Sequence, residues 1–242
     1  MPTQWYHARV LKIEQLTAFT RRFTVEVPQD AGIFHFIPGQ FVTMDLPVSE
    51  KRLHRWRSYS IANCPDGTNI LEFCIVRSED GLGTKYLFEE ISVGSELKFK
   101  GPDGTFVLPA DLNDEIIMLC TGTGVAPFRS MIQYIESNNI PFGKIHLIFG
   151  TRTYQDILYR EEFEKIQNQN PAFQYSVALS RENKKGFHHG YIHDIYMNEY
   201  KDIKSDRKFY ICGWSKMIDE AIVKLMIDLK YDKSQIHYEL YG

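Results

Sequence analysis

The sequence predicts two domains: an N-terminal antiparallel β-barrel over residues 1–112, and a C-terminal α/β domain with a parallel sheet over residues 113–242. Three observations lead there. A length of 242 residues suits one large domain or two of ordinary size. The first half is a series of short β-rich runs broken by Pro and Gly turns. From Asp114 onward, apolar strands alternate with amphipathic helices, the rhythm of a parallel sheet with right-handed crossovers.

In the first half the β-rich runs are 5–16, 19–27, 40–46, 57–62, 70–76 and 95–99. Pro38-Gly39, Pro65-Asp66-Gly67 and Gly101-Pro102 separate some of them. Short strands at this spacing predict a closed or nearly closed antiparallel barrel, interrupted by one helix over 83–90. In the second half a continuous apolar strand, 115–120, runs into Gly122-Thr123-Gly124 and a helix over 126–137. Strands 145–149, 174–179, 208–212 and 235–240 then alternate with helices 156–167, 191–199 and 216–229. The domain boundary falls near residues 109–114. No internal repeat or low-complexity segment interrupts this pattern.

Composition narrows the function. Hydrophobic residues make up 43% and charged residues 24%, an ordinary globular balance. The net charge of −3 argues against a nucleic-acid binder, which needs a basic surface. Cys64, Cys74, Cys120 and Cys212 are scattered, without the spacing of a zinc or iron–sulfur site or of a disulfide framework, so no metal is expected. The polar N-terminus lacks a signal-peptide apolar run, and no segment has the length of a membrane span. The expectation is a soluble cytoplasmic protein, a monomer, with no membrane association.

Residues 54–63 read HRWRSYSIAN, with a cation, an aromatic ring and a hydroxyl at Arg57, Tyr59 and Ser60. On a strand, Arg57 and Tyr59 share one face about 7 Å apart. That spacing suits a guanidinium on a phosphate beside a ring stacked on a heterocycle. Taken alone, the same residues also describe a solvated sheet face. Ser78-Glu79-Asp80-Gly81-Leu82-Gly83-Thr84-Lys85 places glycines before a helix, where backbone N–H groups and the helix dipole favour a phosphate. It equally describes a simple turn capped by Thr84. Thr121-Gly122-Thr123-Gly124-Val125-Ala126-Pro127 carries a strand directly into two glycines, with Pro127 near the first turn of a helix. Such a turn puts backbone donors at the carboxyl edge of a parallel sheet, where open α/β sheets bind ligands. The third glycine of GxGxxG is absent.

Arg57-Ser58-Tyr59-Ser60 resembles the RxYS motif of the ferredoxin-NADP(H) reductase superfamily, whose members bind FAD in one domain and a nicotinamide dinucleotide in the next. The resemblance covers nearly the whole chain. It implies FAD held by Arg57, Tyr59 and Ser60, by the strand Cys74-Ile75-Val76, and by the helix start at Gly83 and Thr84. Gly101-Pro102-Asp103-Gly104-Thr105-Phe106 is similar to the family's GPxGxF loop, which closes the barrel. Thr121, Gly122, Gly124, Val125 and Pro127 match the superfamily's dinucleotide turn, and Cys212-Gly213-Trp214-Ser215-Lys216-Met217 matches its CGxxxM, with Trp-Ser where many members have Pro-Pro.

Near the C-terminus, His237 to Tyr241 is similar to the plant-type ending HVEVY, with Gly242 as one extra residue. The resemblance thus implies an isoalloxazine between Tyr59 and Tyr241, with Ser60, Cys212 and Glu239 around the reacting atoms and hydride passing from nicotinamide to flavin.

Ser180 and Arg181, followed by Lys184 and Lys185, suit an adenosine 2′-phosphate, and also a solvated charged loop. Plant-type NADPH reductases resemble the chain at Ser180-Arg181, with looser matches at Lys185 and Tyr191. Residues 190–194, GYIHD, resemble the loop of oxygenase-linked reductases, many of which use NADH; Arg152 occurs in both kinds. The cofactors implied are FAD and NADP(H), ahead of NAD(H). The electron partner implied is ferredoxin, flavodoxin or an oxygenase component, which the cations Lys51, Arg52, His54 and Arg55 would meet unless they form only a solvated loop. A non-catalytic flavin-binding redox subunit is the remaining alternative.

Overall fold

The computed structural model describes residues 4–240. It divides into two compact units: residues 4–108 together with 126–138, and residues 109–125 together with 139–240.

In the first unit, six antiparallel strands lie in the order β4-β3-β6-β1-β2-β5. They are β1 (Trp5–Thr17), β2 (Thr20–Glu26), β3 (Phe41–Asp45), β4 (Trp56–Ser60), β5 (Ile70–Val76) and β6 (Glu96–Asp103). The side chains alternate as a half-buried strand requires. On β2, Phe23 and Val25 are fully buried while Arg22, Thr24 and Glu26 are only partly covered. Phe23, Phe73, Phe99, Met44 and Val10 form the interior, and Leu87 of α2 (Leu82–Glu89) is buried with them. Strand β6 runs four residues past the expected end at 99, because a register shift opposite Phe41–Thr43 lets it bend and carry Pro102 without losing its partner β3. A four-residue helix, α1 (Arg52–Arg55), lies outside the expected elements.

The two outer strands of this sheet, β4 and β5, meet through a single bridge between Ile61 and Phe73, beside which the Ala62 N–H donates to the Glu72 carbonyl at 2.8 Å. Among the described residues no ladder joins β4 to Cys74–Val76, so the barrel parts there. Helix α3 (Val125–Ser137) packs in this unit from Ala126 on.

The second unit holds a six-stranded parallel sheet in the order β10-β9-β8-β7-β11-β12. Its strands are β7 (Glu115–Thr121), β8 (Lys144–Thr151), β9 (Phe173–Leu179), β10 (His188–His189), β11 (Arg207–Gly213) and β12 (Ile236–Leu240). Ile116 to Cys120 are all fully buried, as expected of a central strand covered on both faces. Helices α4 (Arg160–Gln169), α5 (Ile192–Glu199) and α6 (Ser215–Val223) complete the unit.

The expected helix 156–167 starts later than its pattern suggested. Asp156 instead closes a capping box with Thr153 on a short 3₁₀ turn, and Tyr159 then adopts a left-handed conformation at φ 55. The expected helix 216–229 gives way after Val223 to a π turn, Lys224–Asp228, in which the Leu229 N–H reaches the Lys224 carbonyl at 2.9 Å. Strand β10, two residues long, is too short to leave a periodic signal.

Candidate active site

Strand β4 presents Arg57 and Tyr59 on one face, with Ser60 at its end. The Arg57 guanidinium is tethered to nearby backbone: Nη1 donates to the Trp56 carbonyl at 2.7 Å and to the Leu53 carbonyl at 3.1 Å. It lies against the start of α2. A Cβ added to Gly83 would stand 3.3 Å from Arg57 Cγ and 3.1 Å from Leu46 Cδ1, so a glycine lets the helix N-terminus come close to the guanidinium stem. Two features attractive to phosphate, a cation and a helix start, are thereby brought together. The Thr84 hydroxyl turns back into the preceding loop, accepting from the Ser78 N–H at 3.1 Å and donating to the Gly81 carbonyl at 3.1 Å. The N-cap position belongs to Gly81.

Tyr59 is half-buried against the barrel core, and burial pushes its phenol well above the usual range, opposed by the charge of Arg57. Ser60 is buried. Cys74 and Ile75 are buried and Val76 partly so, on the strand across the gap from β4. An arginine and a tyrosine on β4, a helix start beside them and the unladdered strand edge at Cys74–Val76 suit the phosphates and flat ring system of FAD.

In the second unit, β7 is flanked by β8 on one side and β11 on the other, so its carboxyl end is where the strand order reverses. Gly122–Gly124 forms a 3₁₀ turn at that point, with Gly122 at φ 53, a conformation that costs glycine little. A Cβ on Gly124 would collide with the carbonyl of Cys212, so the turn packs directly on the end of β11. Val125 and Pro127 are buried and shape the turn instead of offering side chains, whereas Thr121 stays partly exposed. Backbone donors at a glycine turn on the carboxyl edge fit a dinucleotide diphosphate.

Cys212 is fully buried and stands in register with Cys120 of β7 and Glu239 of β12. Burial, and the neighbouring Cys212, push the Cys120 thiol well up. Parallel pairing thus sets Glu239, partly exposed, beside Cys212 and Gly213 at the end of the sheet. Tyr241 lies outside the described residues.

At the carboxyl ends of β8 and β9, the Arg181 N–H donates to the Arg152 carbonyl at 2.9 Å, so these two exposed arginines sit on adjoining segments. The Ser180 hydroxyl donates to the Thr151 carbonyl at 3.2 Å. Lys185 is exposed. Three residues were not anticipated from sequence. The ring of Tyr154 lies under Lys184 Nζ at 3.9 Å and near the Arg160 guanidinium at 4.8 Å, while its backbone N–H donates to Glu182 at 2.7 Å. The nearness of Tyr154 to Arg152 was the one sequence signal for this cluster.

Comparison with known proteins identifies both domains. The oxidoreductase FAD-binding domain family matches residues 7–108, and the oxidoreductase NAD-binding domain family matches residues 118–222. The chain belongs to the ferredoxin reductase-type FAD/NAD-binding oxidoreductases. Among ferredoxin reductase-type relatives, ferredoxin–NADP reductase B of Sorangium cellulosum is 28% identical, over 98% of this chain and 97% of that protein. The glycine betaine monooxygenase reductase subunit of Chromohalobacter salexigens is also 28% identical, over 98% of this chain and 64% of that subunit. The crystal structure of an Amycolatopsis cytochrome P450 reductase superposes with a TM-score of 0.86 at 26% identity, covering 99% of this chain and 70% of that one. A ferredoxin NADP+ reductase from Neisseria gonorrhoeae shares the fold, with a TM-score of 0.82 at 22% identity over 98% of this chain and 99% of that one.

This ferredoxin reductase-type chain is therefore an FAD- and pyridine-nucleotide-dependent electron-transfer reductase. Among its described residues no helix is long and apolar enough to cross a membrane.

Proposed function

We propose that the chain is an NADPH-dependent reductase that serves a small redox protein such as ferredoxin or flavodoxin. The observation that carries the choice of NADPH is the group of cations Arg152, Arg181 and Lys184 at the carboxyl ends of β8 and β9, beside the Ser180 hydroxyl. A 2′-phosphate is a dianion, and guanidinium groups with a hydroxyl suit it better than they suit the bare ribose of NAD.

FAD, when bound, accepts hydride from the reduced dinucleotide and releases electrons one at a time. The protein's part is positioning. Arg57 and the Gly83 helix start hold phosphate, Tyr59 offers a ring face, and Ser60 offers a hydroxyl at the strand end toward the reacting edge of the ring system. In the second unit the Gly122–Gly124 turn seats the diphosphate. Cys212 and Glu239, side by side, line the place of the nicotinamide. These assignments follow the motifs and the local geometry together.

The acceptor surface is proposed at α1. Lys51, Arg52 and His54 are exposed there around Leu53, which is 84% exposed. Arg55 is committed elsewhere, its guanidinium donating to both oxygens of Asp45 at 2.8 Å. An acidic partner is thus met by Lys51, Arg52 and His54.

A second reading, an NADH-dependent reductase component of an oxygenase, is favoured by residues 190–194. Asp194 accepts from the Tyr191 N–H at 3.1 Å and fixes the start of α5. Anaerobic titration of the purified flavoprotein with NADPH and with NADH, followed by bleaching of the visible spectrum, separates the two. Bleaching at far lower NADPH concentration supports the first reading, and bleaching at lower NADH concentration the second. A protein that stays colourless after FAD is added defeats both.

A further inference from the structure

Trp214 stands at the N-cap of α6, and it is 65% exposed. Its backbone is fixed. The Trp214 N–H approaches the Thr121 hydroxyl at 3.4 Å, and its carbonyl accepts from the Ile218 N–H at 3.1 Å to open α6. The indole therefore projects from a rigid helix start. It reaches back over the glycine turn: apart from the adjacent residues, the group within 4 Å of a Cβ placed on Gly122 is Trp214 Nε1, at 3.8 Å. The turn thus keeps an open space above its left-handed glycine, bordered by a ring N–H.

An indole nitrogen donates and never accepts. A group entering that space is met by a ring N–H donor, so the space selects an acceptor oxygen and most strongly an anionic one. We infer that Trp214 is a dinucleotide-binding residue, its Nε1–H donating to a diphosphate oxygen seated on the Gly122 turn. The inference rests on the reading of that turn as the dinucleotide site. It adds a contact that proline at this position cannot make.

The test uses the FAD-loaded protein and W214F, which keeps an aromatic ring but removes the donor. With the side chain so exposed, W214F is expected to retain its FAD and its melting temperature. The KM for the preferred dinucleotide should rise about tenfold, the cost of one hydrogen bond to a charged acceptor, with kcat little changed. Independently of activity, the ¹⁵N–¹H spectrum of the wild-type protein contains an indole N–H resonance from Trp214, identified by its loss in W214F. Titration with NADP+ or NAD+ should move it downfield, as a newly formed N–H···O⁻ bond requires.

If either dinucleotide bleaches the flavin while that resonance stays in place, or while W214F keeps the wild-type KM, this inference falls and the dinucleotide site stands. If neither dinucleotide bleaches the flavin nor shifts any amide of residues 121–125, the site assignment itself falls, and the inference with it.

Discussion

Arg129 and Glu72, 57 residues apart in sequence, form a 2.7 Å ion pair in which the arginine side chain is only 7% exposed. The same guanidinium donates to the Ala62 carbonyl at 2.9 Å, beside the bridge that joins β4 to β5. Next to it, the Ser130 hydroxyl donates to the Asn63 carbonyl at 2.6 Å, and the Cys64 N–H donates to Gln133 at 3.1 Å. Helix α3 is thus bonded to the chain segment that follows β4. Removing one member of a covered ion pair costs up to about 3 kcal/mol, here about 2 kcal/mol because Glu72 keeps Arg22 at 3.7 Å. R129A is accordingly expected to lower the denaturant midpoint by an amount equivalent to that energy. A midpoint within experimental error of wild type would contradict the role given to this pair.

Ser60 is buried at the end of β4. S60A is expected to bind FAD normally and to slow flavin reduction by reduced dinucleotide about 100-fold, the scale set by losing one well-placed donor. Anaerobic stopped-flow absorbance under single-turnover conditions measures that step directly. Wild-type kinetics would remove Ser60 from the reaction.

Arg181 is exposed beside Arg152. If it meets a 2′-phosphate, R181A should raise the KM for NADPH by about tenfold or more and leave the KM for NADH in place. Parallel steady-state assays with a small-dye acceptor read both values. Equal changes with the two dinucleotides would argue for a general effect on the loop.

His146 is buried between Ser176, 2.8 Å from Nε2, and Tyr200, 2.6 Å from Nδ1, with Glu199 3.5 Å away. Burial lowers its pKa from 6.5 to about 4. The native state then holds it neutral while the unfolded chain takes up a proton below pH 6.5. Stability is full above that pH and falls as pH drops from 6.5 toward 4, by about 3 kcal/mol from this group. His193 and His237, also lowered by burial, act in the same direction, and Glu199, raised by burial, acts against them. Urea unfolding at pH 7 and pH 5 should show a smaller loss in H146Q than in wild type. An identical loss in both would refute this account of His146.

Much of this protein is determined locally, and that part was legible in the sequence. The six strands of the barrel follow from alternation and turn residues, and β5 begins and ends where its pattern does, at Ile70 and Val76. The apolar run into Gly122-Thr123-Gly124 specified a central parallel strand and a sharp turn at its carboxyl end, because burial on both faces and a sharp exit each leave a short-range signature. Arg57, Tyr59 and Ser60 were legible for the same reason: on a strand, spacing alone decides which side chains share a face.

Other features depend on residues far apart in the chain, and only the tertiary structure decided them. β4 and β5 part beyond Ile61 and Phe73, yet neither strand's pattern records where pairing stops. Arg55, one cation among several in sequence, is claimed by Asp45, while its neighbours remain exposed. Tyr154 gathers Lys184 and Arg160 because two separate loops fold over one ring. Trp214 comes to stand above Gly122 only because β11 pairs with β7 in one particular register. Periodicity determines which face a side chain takes; strand register and packing determine what it meets there.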